Sequence, residues 1–133
     1  MSAGEAFFDT NILLYLLSPD SRKASRAEAL LETGGVISVQ VLNEFASVTL
    51  RKLNLPLSQV REMLATFRAV CRVILLSEGI HERGIELCAK HRLSLYDAMI
   101  VAAALEAESS MLYSEDLQHG RLFHRSLRIV NPF

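Results

Sequence analysis

Residues 5–17, EAFFDTNILLYLL, decide the type of fold. The stretch opens with a short apolar run that contains two phenylalanines, stops at the polar residues 9–11, and resumes as a second apolar run. This order predicts a strand, a polar turn and a short buried helix. A strand that leads directly into a helix is typical of the βα units from which parallel sheets are built.

The rest of the chain repeats this alternation of short apolar runs and helical periodicity. Further strands are predicted at 36–39, 72–76, 111–113 and 127–130, and helices at about 21–33, 39–53, from 57, 77–91 and from 94. Residues 98–105 are apolar on nearly every side, which favours a central buried helix. The prediction is an α/β chain with a three-layer α/β/α arrangement around a mainly parallel sheet of four to five short strands.

Composition sets the broad class. The chain has 133 residues, half of them hydrophobic, and a formal net charge of −1, so we expect one domain over 1–133 with a substantial core. The apolar run at 98–105 is far below the roughly 18–20 residues that span a bilayer, and the first residues carry no basic cluster. We therefore expect a cytoplasmic protein with no membrane contact. The two cysteines and four histidines lack zinc-ligand spacing.

Acidic residues occur at the predicted ends of strands and in the helices that follow. Ligands of parallel sheets bind at the carboxyl ends of the strands. Asp9 directly follows the first predicted strand, and Asp116 lies three residues after the strand at 111–113. Glu44 projects from a largely apolar helix face, and Asp97 opens the apolar helix that contains 98–105. An unpaired carboxylate at such positions is costly to bury.

Each acid also has a purely structural explanation. Asp9 could close a βα turn, and Asp97 could cap its helix after Ser94. Residues 114–116 could begin a helix that ends at Gly120, and Glu44 could simply be solvated. These alternatives remain open at the level of sequence.

Taken together, the acids predict a metal centre. Several carboxylates at one edge repel one another unless a cation neutralises them, and ligation by oxygen alone favours Mg²⁺, with Mn²⁺ as an alternative. Such an ion can activate water for in-line attack on a phosphodiester. The sequence contains no phosphate-binding loop of the G-x-x-x-x-G-K-[ST] type.

Four segments in this order resemble the PIN domain ribonucleases, and in particular the VapC toxins of type II toxin–antitoxin systems. The segments are FDTNIL at 8–13, SVQVLNEF at 38–45, LSLYDAMIVA at 93–102 and LYSEDL at 112–117. The resemblance extends over the whole chain. It implies metal-dependent cleavage of single-stranded regions of RNA.

The resemblance also implies residue roles and partners. The acidic cluster would be Asp9, Glu44, Asp97 and Asp116, which would hold the metal and carry catalysis. Asn11 and Ser114 would support the cluster by hydrogen bonds, and Glu115 could share the role of its neighbour Asp116. A homodimer and a small antitoxin protein would be the partners.

Other functions are weighed against this one. A phosphotransfer domain with an aspartyl nucleophile fits poorly, because residues 9–11 lack the second acid of a D-x-D motif. A housekeeping RNA-processing nuclease and a non-catalytic RNA- or protein-binding module remain alternatives. The candidate RNA contacts are basic residues: Arg22, Lys23 and Arg26 near the end of the first strand, Arg51 and Lys52, and Arg121 and Arg125 after the fourth acid.

Overall fold

The computed structural model describes residues 5–133. The first four residues, which the predicted domain over 1–133 includes, lie outside the described part. The strands are β1 (Ala6–Phe8), β2 (Gly35–Ser38), β3 (Cys71–Ile74), β4 (Met111–Tyr113), β5 (Leu122–Phe123) and β6 (Leu127–Val130). The helices are α1 (Thr10–Leu14), α2 (Ser21–Glu32), α3 (Val39–Arg51), α4 (Leu57–Val70), α5 (Glu78–His91) and α6 (Leu95–Glu106), and a 3₁₀ turn, Tyr15–Leu17, extends α1.

Across the described residues, all the strands form one sheet in the order β3-β2-β1-β4-β6-β5. Its pairs are parallel except for β5, which runs antiparallel to β6. The mainly parallel α/β sheet is therefore confirmed, with six strands instead of the four to five predicted. The additional strand, β5, is two residues long, too short to produce a periodic signal in the sequence.

The order in which the chain adds strands to the sheet reverses at β1. The chain steps from β1 to β2 to β3 on one side and then crosses to β4 on the other side of β1. Since crossovers between parallel strands are right-handed, α1–α4 cover one face and α5–α6 the other. Helix α6 packs against β2 and β4, and Ala98 and Ala102 are fully buried, as the apolar run at 98–105 predicts.

The end of β3 differs from the sequence prediction, and the close approach of β2 to β1 has no signal in the sequence. The strand predicted at 72–76 ends at Ile74, and Leu75 is 74% exposed, because an apolar run does not mark where pairing stops. Gly35 begins β2 so close to β1 that a Cβ there would lie 2.6 Å from the Ala6 carbonyl oxygen. Only glycine allows this approach of β2 to β1.

Helix α6 ends in a Schellman motif that has no glycine. The Ser109 N–H donates to the Ala104 carbonyl at 3.1 Å, and the Glu108 N–H donates to the Leu105 carbonyl at 3.0 Å. Glu108 therefore adopts a left-handed conformation, with φ of 58°, at the position where glycine is usual.

No helix in the described range 5–133 is long and apolar enough to cross a membrane.

Candidate functional site

The acids gather where the chain order reverses, at the carboxyl ends of β1 and β4. The two strands are in register, with Phe8 opposite Tyr113. The Asp9 N–H donates to the Tyr113 carbonyl at 3.0 Å, so Asp9 and Ser114 leave the sheet side by side. Such a switch point leaves a crevice between diverging connections and is where ligands bind in open α/β sheets.

Asp9 caps α1 and is buried. The polar turn predicted at 9–11 is instead the start of the helix, because the Asp9 Oδ1 accepts the Thr10 N–H at 2.7 Å. Its Oδ2 accepts the Ser114 hydroxyl at 2.8 Å. The side chain is 4% exposed, and burial raises its pKa to about 6, against the lowering effect of these two hydrogen bonds. The charges of Asp116 and Glu44 raise the pKa of Asp9 further, so the three acids share one electrostatic environment.

Ser114 shapes the loop that carries Asp116. Its hydroxyl oxygen accepts the N–H groups of Asp116 at 3.1 Å and Leu117 at 3.3 Å. These bonds hold residues 115–117 as a bend, and the alternative of a helix starting at 114 is wrong. The loop is thereby fixed next to Asp9.

Asn11 bridges the two strand ends. Its Nδ2 donates to Asp116 Oδ2 at 3.1 Å and, at the 3.5 Å limit, to Asp9 Oδ2. Its Oδ1 accepts the Glu115 N–H at 3.2 Å. One amide side chain therefore spans the gap between two carboxylates that would otherwise repel each other.

Glu44 joins the group through Thr10, a residue for which the sequence analysis assigned no role. The Thr10 hydroxyl donates to Glu44 Oε1 at 2.7 Å, which fixes the carboxylate of α3 against the start of α1. The alternative that Glu44 is merely solvated is therefore wrong. The sequence did carry a signal for this role of Thr10, because its hydroxyl directly follows a candidate acid at the start of a helix.

The start of α6, which carries Asp97, lies against the start of α3. The helix α6 begins with Ser94 as cap, whose hydroxyl accepts the Asp97 N–H at 3.2 Å. Gln40, in the first turn of α3, donates through Nε2 to the Tyr96 carbonyl at 3.1 Å, so the start of α6 is tied to the turn of α3 that precedes Glu44. Gln40 had no assigned role in the sequence analysis. In the described chain, no hydrogen bond connects the half-buried Asp97 side chain to Thr10, Asn11 or Ser114.

The donor chemistry suits a divalent cation. Within residues 5–133, no three Asp, Glu, His or Cys side chains already form a group that could hold a metal ion. The acids nevertheless present only oxygen atoms, the ligands that Mg²⁺ and Mn²⁺ prefer. Burial and like charge make ionised Asp9 unfavourable, and a bound cation would remove that cost.

The basic candidates lie in different parts of the fold. Lys23 contacts the Tyr15 hydroxyl at 3.5 Å, and this hydroxyl donates to Glu115 in the loop of Asp116. Arg125 lies in the turn between β5 and β6, at the amino end of β6 and therefore at the opposite edge from the acids. Arg125 therefore lies away from the acids, and its contact with RNA stays a prediction.

Comparison with known proteins decides the family. The family model of the PIN domain matches residues 6–122. The chain belongs to the PIN domain family. No curated protein sequence matches it significantly.

Three solved structures that resemble this PIN domain are described as a toxin, a toxin–antitoxin complex and a VapBC pair. A toxin–antitoxin complex from Klebsiella pneumoniae is 26% identical, with 96% of this chain and 98% of that chain covered and a TM-score of 0.72. VapC20 of Mycobacterium tuberculosis, a toxin that cleaves the sarcin–ricin loop, is 20% identical over 84% of this chain and 89% of that chain, with a TM-score of 0.68. VapBC2 from Rickettsia felis, bound to a promoter DNA fragment, is 21% identical, with 95% of this chain and 98% of that chain covered and a TM-score of 0.67. The last two likenesses concern the fold alone.

Proposed function

We propose that this PIN domain is a divalent-metal-dependent endoribonuclease and the toxin of a VapBC-type toxin–antitoxin pair. The observation that carries the proposal is the joining of acids from distant parts of the chain at one edge of the sheet. Asn11 bridges Asp9 and Asp116, and Thr10 holds Glu44 beside them. The structural likeness to a toxin–antitoxin complex supports the physiological role.

The chain's own residues supply the negative oxygen atoms and hold them in place. Asp9, Glu44, Asp97 and Asp116 are the proposed ligands of Mg²⁺ or Mn²⁺. When bound, the ion lowers the pKa of a water molecule and neutralises charge on the phosphodiester. Asp9 would hold the ion as a carboxylate, because an adjacent cation would lower its pKa from about 6.

Positioning residues keep the acids from separating. Ser114 and Asn11 hold the loop of Asp116 against Asp9, and Thr10 orients Glu44. Partners that orient metal ligands typically contribute about tenfold to a hundredfold to affinity or activity. The substrate is RNA with single-stranded regions.

The antitoxin would be a small protein that suppresses this activity, and the toxin would form a homodimer. Each partner has its own test. Co-expression should relieve toxicity if a small protein encoded beside this one is its antitoxin. Sedimentation of the purified chain should give the mass of two copies.

The decisive experiment is cleavage of a structured RNA in the presence of Mg²⁺ or Mn²⁺. We expect cleavage that a chelator stops, and loss of cleavage in Asp97→Asn with an unchanged circular dichroism spectrum, because an amide lacks the ligand charge. Glu28→Gln, which neutralises an exposed acid on α2, is the matched control. Wild-type cleavage by Asp97→Asn would refute the metal assignment.

Expression in a bacterial host separates toxin from housekeeping nuclease. Growth arrest that Asp97→Asn abolishes supports the toxin. Cleavage in vitro without growth arrest favours an RNA-processing nuclease of the same fold. Neither cleavage nor arrest, with RNA binding retained, would indicate the non-catalytic module.

A further inference from the structure

A cavity of about 310 Å³ lies beside the acidic site, between the start of α2 and the residues that follow β6. We refer to it as the aromatic–basic pocket. Its lining consists of Asp20, Arg22, Lys23, Arg26, Pro132 and Phe133. It combines three cations with one acid and an aromatic ring, whereas the neighbouring site contains mainly acids.

The aromatic wall of the pocket is ordered by direct contacts. The ring of Phe133 lies 4.3 Å from that of Tyr15, centroid to centroid, at an angle of 54°. Arg26 Nε donates to the Pro132 carbonyl at 3.4 Å, and the Phe133 N–H donates to Asn131 Oδ1 at 3.0 Å. The Phe133 ring is therefore held in place while the residue stays 37% exposed.

Within residues 5–133, no salt bridge to an acid occupies Arg22, Lys23 or Arg26. The Lys23 ammonium lies 4.9 Å from the centre of the Tyr15 ring and 6.0 Å from that of Phe133. The acid of the pocket, Asp20, is occupied as the cap of α2, since its Oδ1 accepts the N–H groups of Arg22 and Lys23. The pocket is thus positively charged next to an aromatic surface.

Tyr15 connects the pocket to the acidic site. Its hydroxyl donates to the Glu115 carboxylate, and the Glu115 N–H donates to Asn11, which in turn bonds Asp116. A polymer whose phosphate occupied the acidic site could therefore place an adjoining nucleotide in the pocket.

We propose that the aromatic–basic pocket binds a nucleotide of single-stranded RNA next to the phosphodiester that is cleaved. Lys23 and Arg26 contact its phosphate, and its base stacks on Phe133. This inference rests on the proposed ribonuclease function and assigns a substrate subsite to it. Base stacking on an aromatic ring suits any base, and lysine or arginine contacts suit any phosphate, so the subsite would favour unpaired RNA without selecting its sequence.

The pocket is the best placed of the basic regions for this role. Arg125 lies at the opposite edge of the sheet. The Arg121 guanidinium lies 4.6 Å from the centre of the Phe123 ring, but Phe123 is fully buried and cannot stack on a base. Arg51 and Lys52 lie at the end of α3, in a depression lined by Ser47 and Val48 without an aromatic ring.

The test is the affinity of the purified chain for a fluorescein-labelled single-stranded RNA oligomer, measured by anisotropy at low salt with chelator present. We expect Phe133→Ala to weaken binding by about fivefold or more, as for the loss of one stacked base, and Phe133→Tyr to preserve it. Lys23→Ala should weaken binding and reduce the slope of log affinity against log salt by about one. Lys90→Ala, which removes an exposed lysine of α5, is the matched control and should bind like the wild type.

An abasic oligomer of the same length separates the two contacts. Phe133→Ala should bind it as the wild type does, whereas Lys23→Ala should bind it more weakly. Wild-type RNA affinity in both variants, or no RNA binding by the wild type, would overturn the proposal. If a glutamate-rich peptide bound the wild type and lost affinity in Lys23→Ala while RNA binding did not change, the pocket would belong to a protein partner instead.

Binding in chelator is independent of cleavage. Weaker RNA binding by the pocket variants, in a protein that never cleaves RNA, would show that the pocket binds RNA and would refute the proposed activity. Metal-dependent cleavage with unchanged binding in both variants would support the activity and refute the subsite.

Discussion

The Ser114 hydroxyl donates its proton to Asp9 Oδ2 at 2.8 Å and has no solvent exposure. The same oxygen accepts two backbone N–H groups of the following loop. Its donor and both lone pairs are therefore occupied, and the carboxyl ends of β1 and β4 are joined by one small side chain.

Replacing Ser114 by alanine should affect both the loop and Asp9. The N–H groups of Asp116 and Leu117 lose their acceptor, and we expect a loss of about 1–3 kcal/mol in the free energy of unfolding. The pKa of Asp9 should rise above about 6, since the hydrogen bond from Ser114 lowers it. Urea denaturation and NMR titration of the Asp9 carboxyl measure these effects. Ser114→Thr keeps the hydroxyl and should restore the pKa; an unchanged pKa in Ser114→Ala would contradict the interpretation.

The buried carboxyl of Asp9 should make stability depend on pH. Its pKa is raised from 3.8 to about 6 in the folded protein, so the folded state binds a proton more readily than the unfolded chain between these values. This contribution is fully present below the unfolded pKa and is lost as pH rises through about 6. Without metal, the wild type should lose about 1 kcal/mol relative to Asp9→Asn between about pH 5 and about pH 7.

Urea denaturation of both proteins in chelator measures this difference. Glu28→Gln serves as the control because Glu28 is an exposed acid. Parallel pH curves for the wild type and Asp9→Asn would show that Asp9 ionises as freely as in the unfolded chain.

Thr10 should matter for metal affinity more than for folding. Thr10→Val removes the hydroxyl that donates to Glu44 but keeps the backbone N–H that Asp9 accepts. We expect Mn²⁺ affinity, measured by calorimetry, to fall about tenfold, and Thr10→Ser to retain it. Equal affinity in Thr10→Val would mean that the orientation of Glu44 does not depend on this bond.

The sequence predicts the acids of the site better than the residues that hold them. Asp9 and Asp116 are predictable because each follows an apolar run, and parallel strands end at a common edge. The hydrogen bonds of Thr10 and Gln40 join helices that are neighbours only in the folded protein. Thr10 joins α1 to α3, and Gln40 joins α3 to α6. No local pattern encodes the register between those helices.

The same distinction applies to the fold. The alternation of strands and helices follows from local periodicity, and the parallel sheet follows from that alternation. Where β3 ends, and that β5 exists, depends on pairing partners far away in sequence. The sequence also gives no signal for the turn after α6. Glu108 occupies the position at which a glycine would have indicated the end of the helix.

Glycine at position 108 should therefore stabilise the protein. Glu108 has a φ of 58°, and a left-handed conformation costs a residue with a side chain about 1 kcal/mol or more. We expect Glu108→Gly to raise the free energy of unfolding by about 1 kcal/mol, measured by chemical denaturation. Glu108→Ala separates charge from conformation, since it removes the charge without relieving the strain. An equal gain from Ala and Gly would show that the charge, not the backbone, was unfavourable.

The bond between Asp9 and Ser114 joins residues that are 105 positions apart. On the ribosome, Asp9 and Glu44 emerge well before the segment that forms β4, so a nascent or prematurely terminated chain has only part of the site. Whatever chemistry the site performs is therefore delayed until nearly the whole chain has been translated. A chain that ends before β4 lacks Ser114 and Asp116, and with them the hydrogen bonds that join the two strand ends.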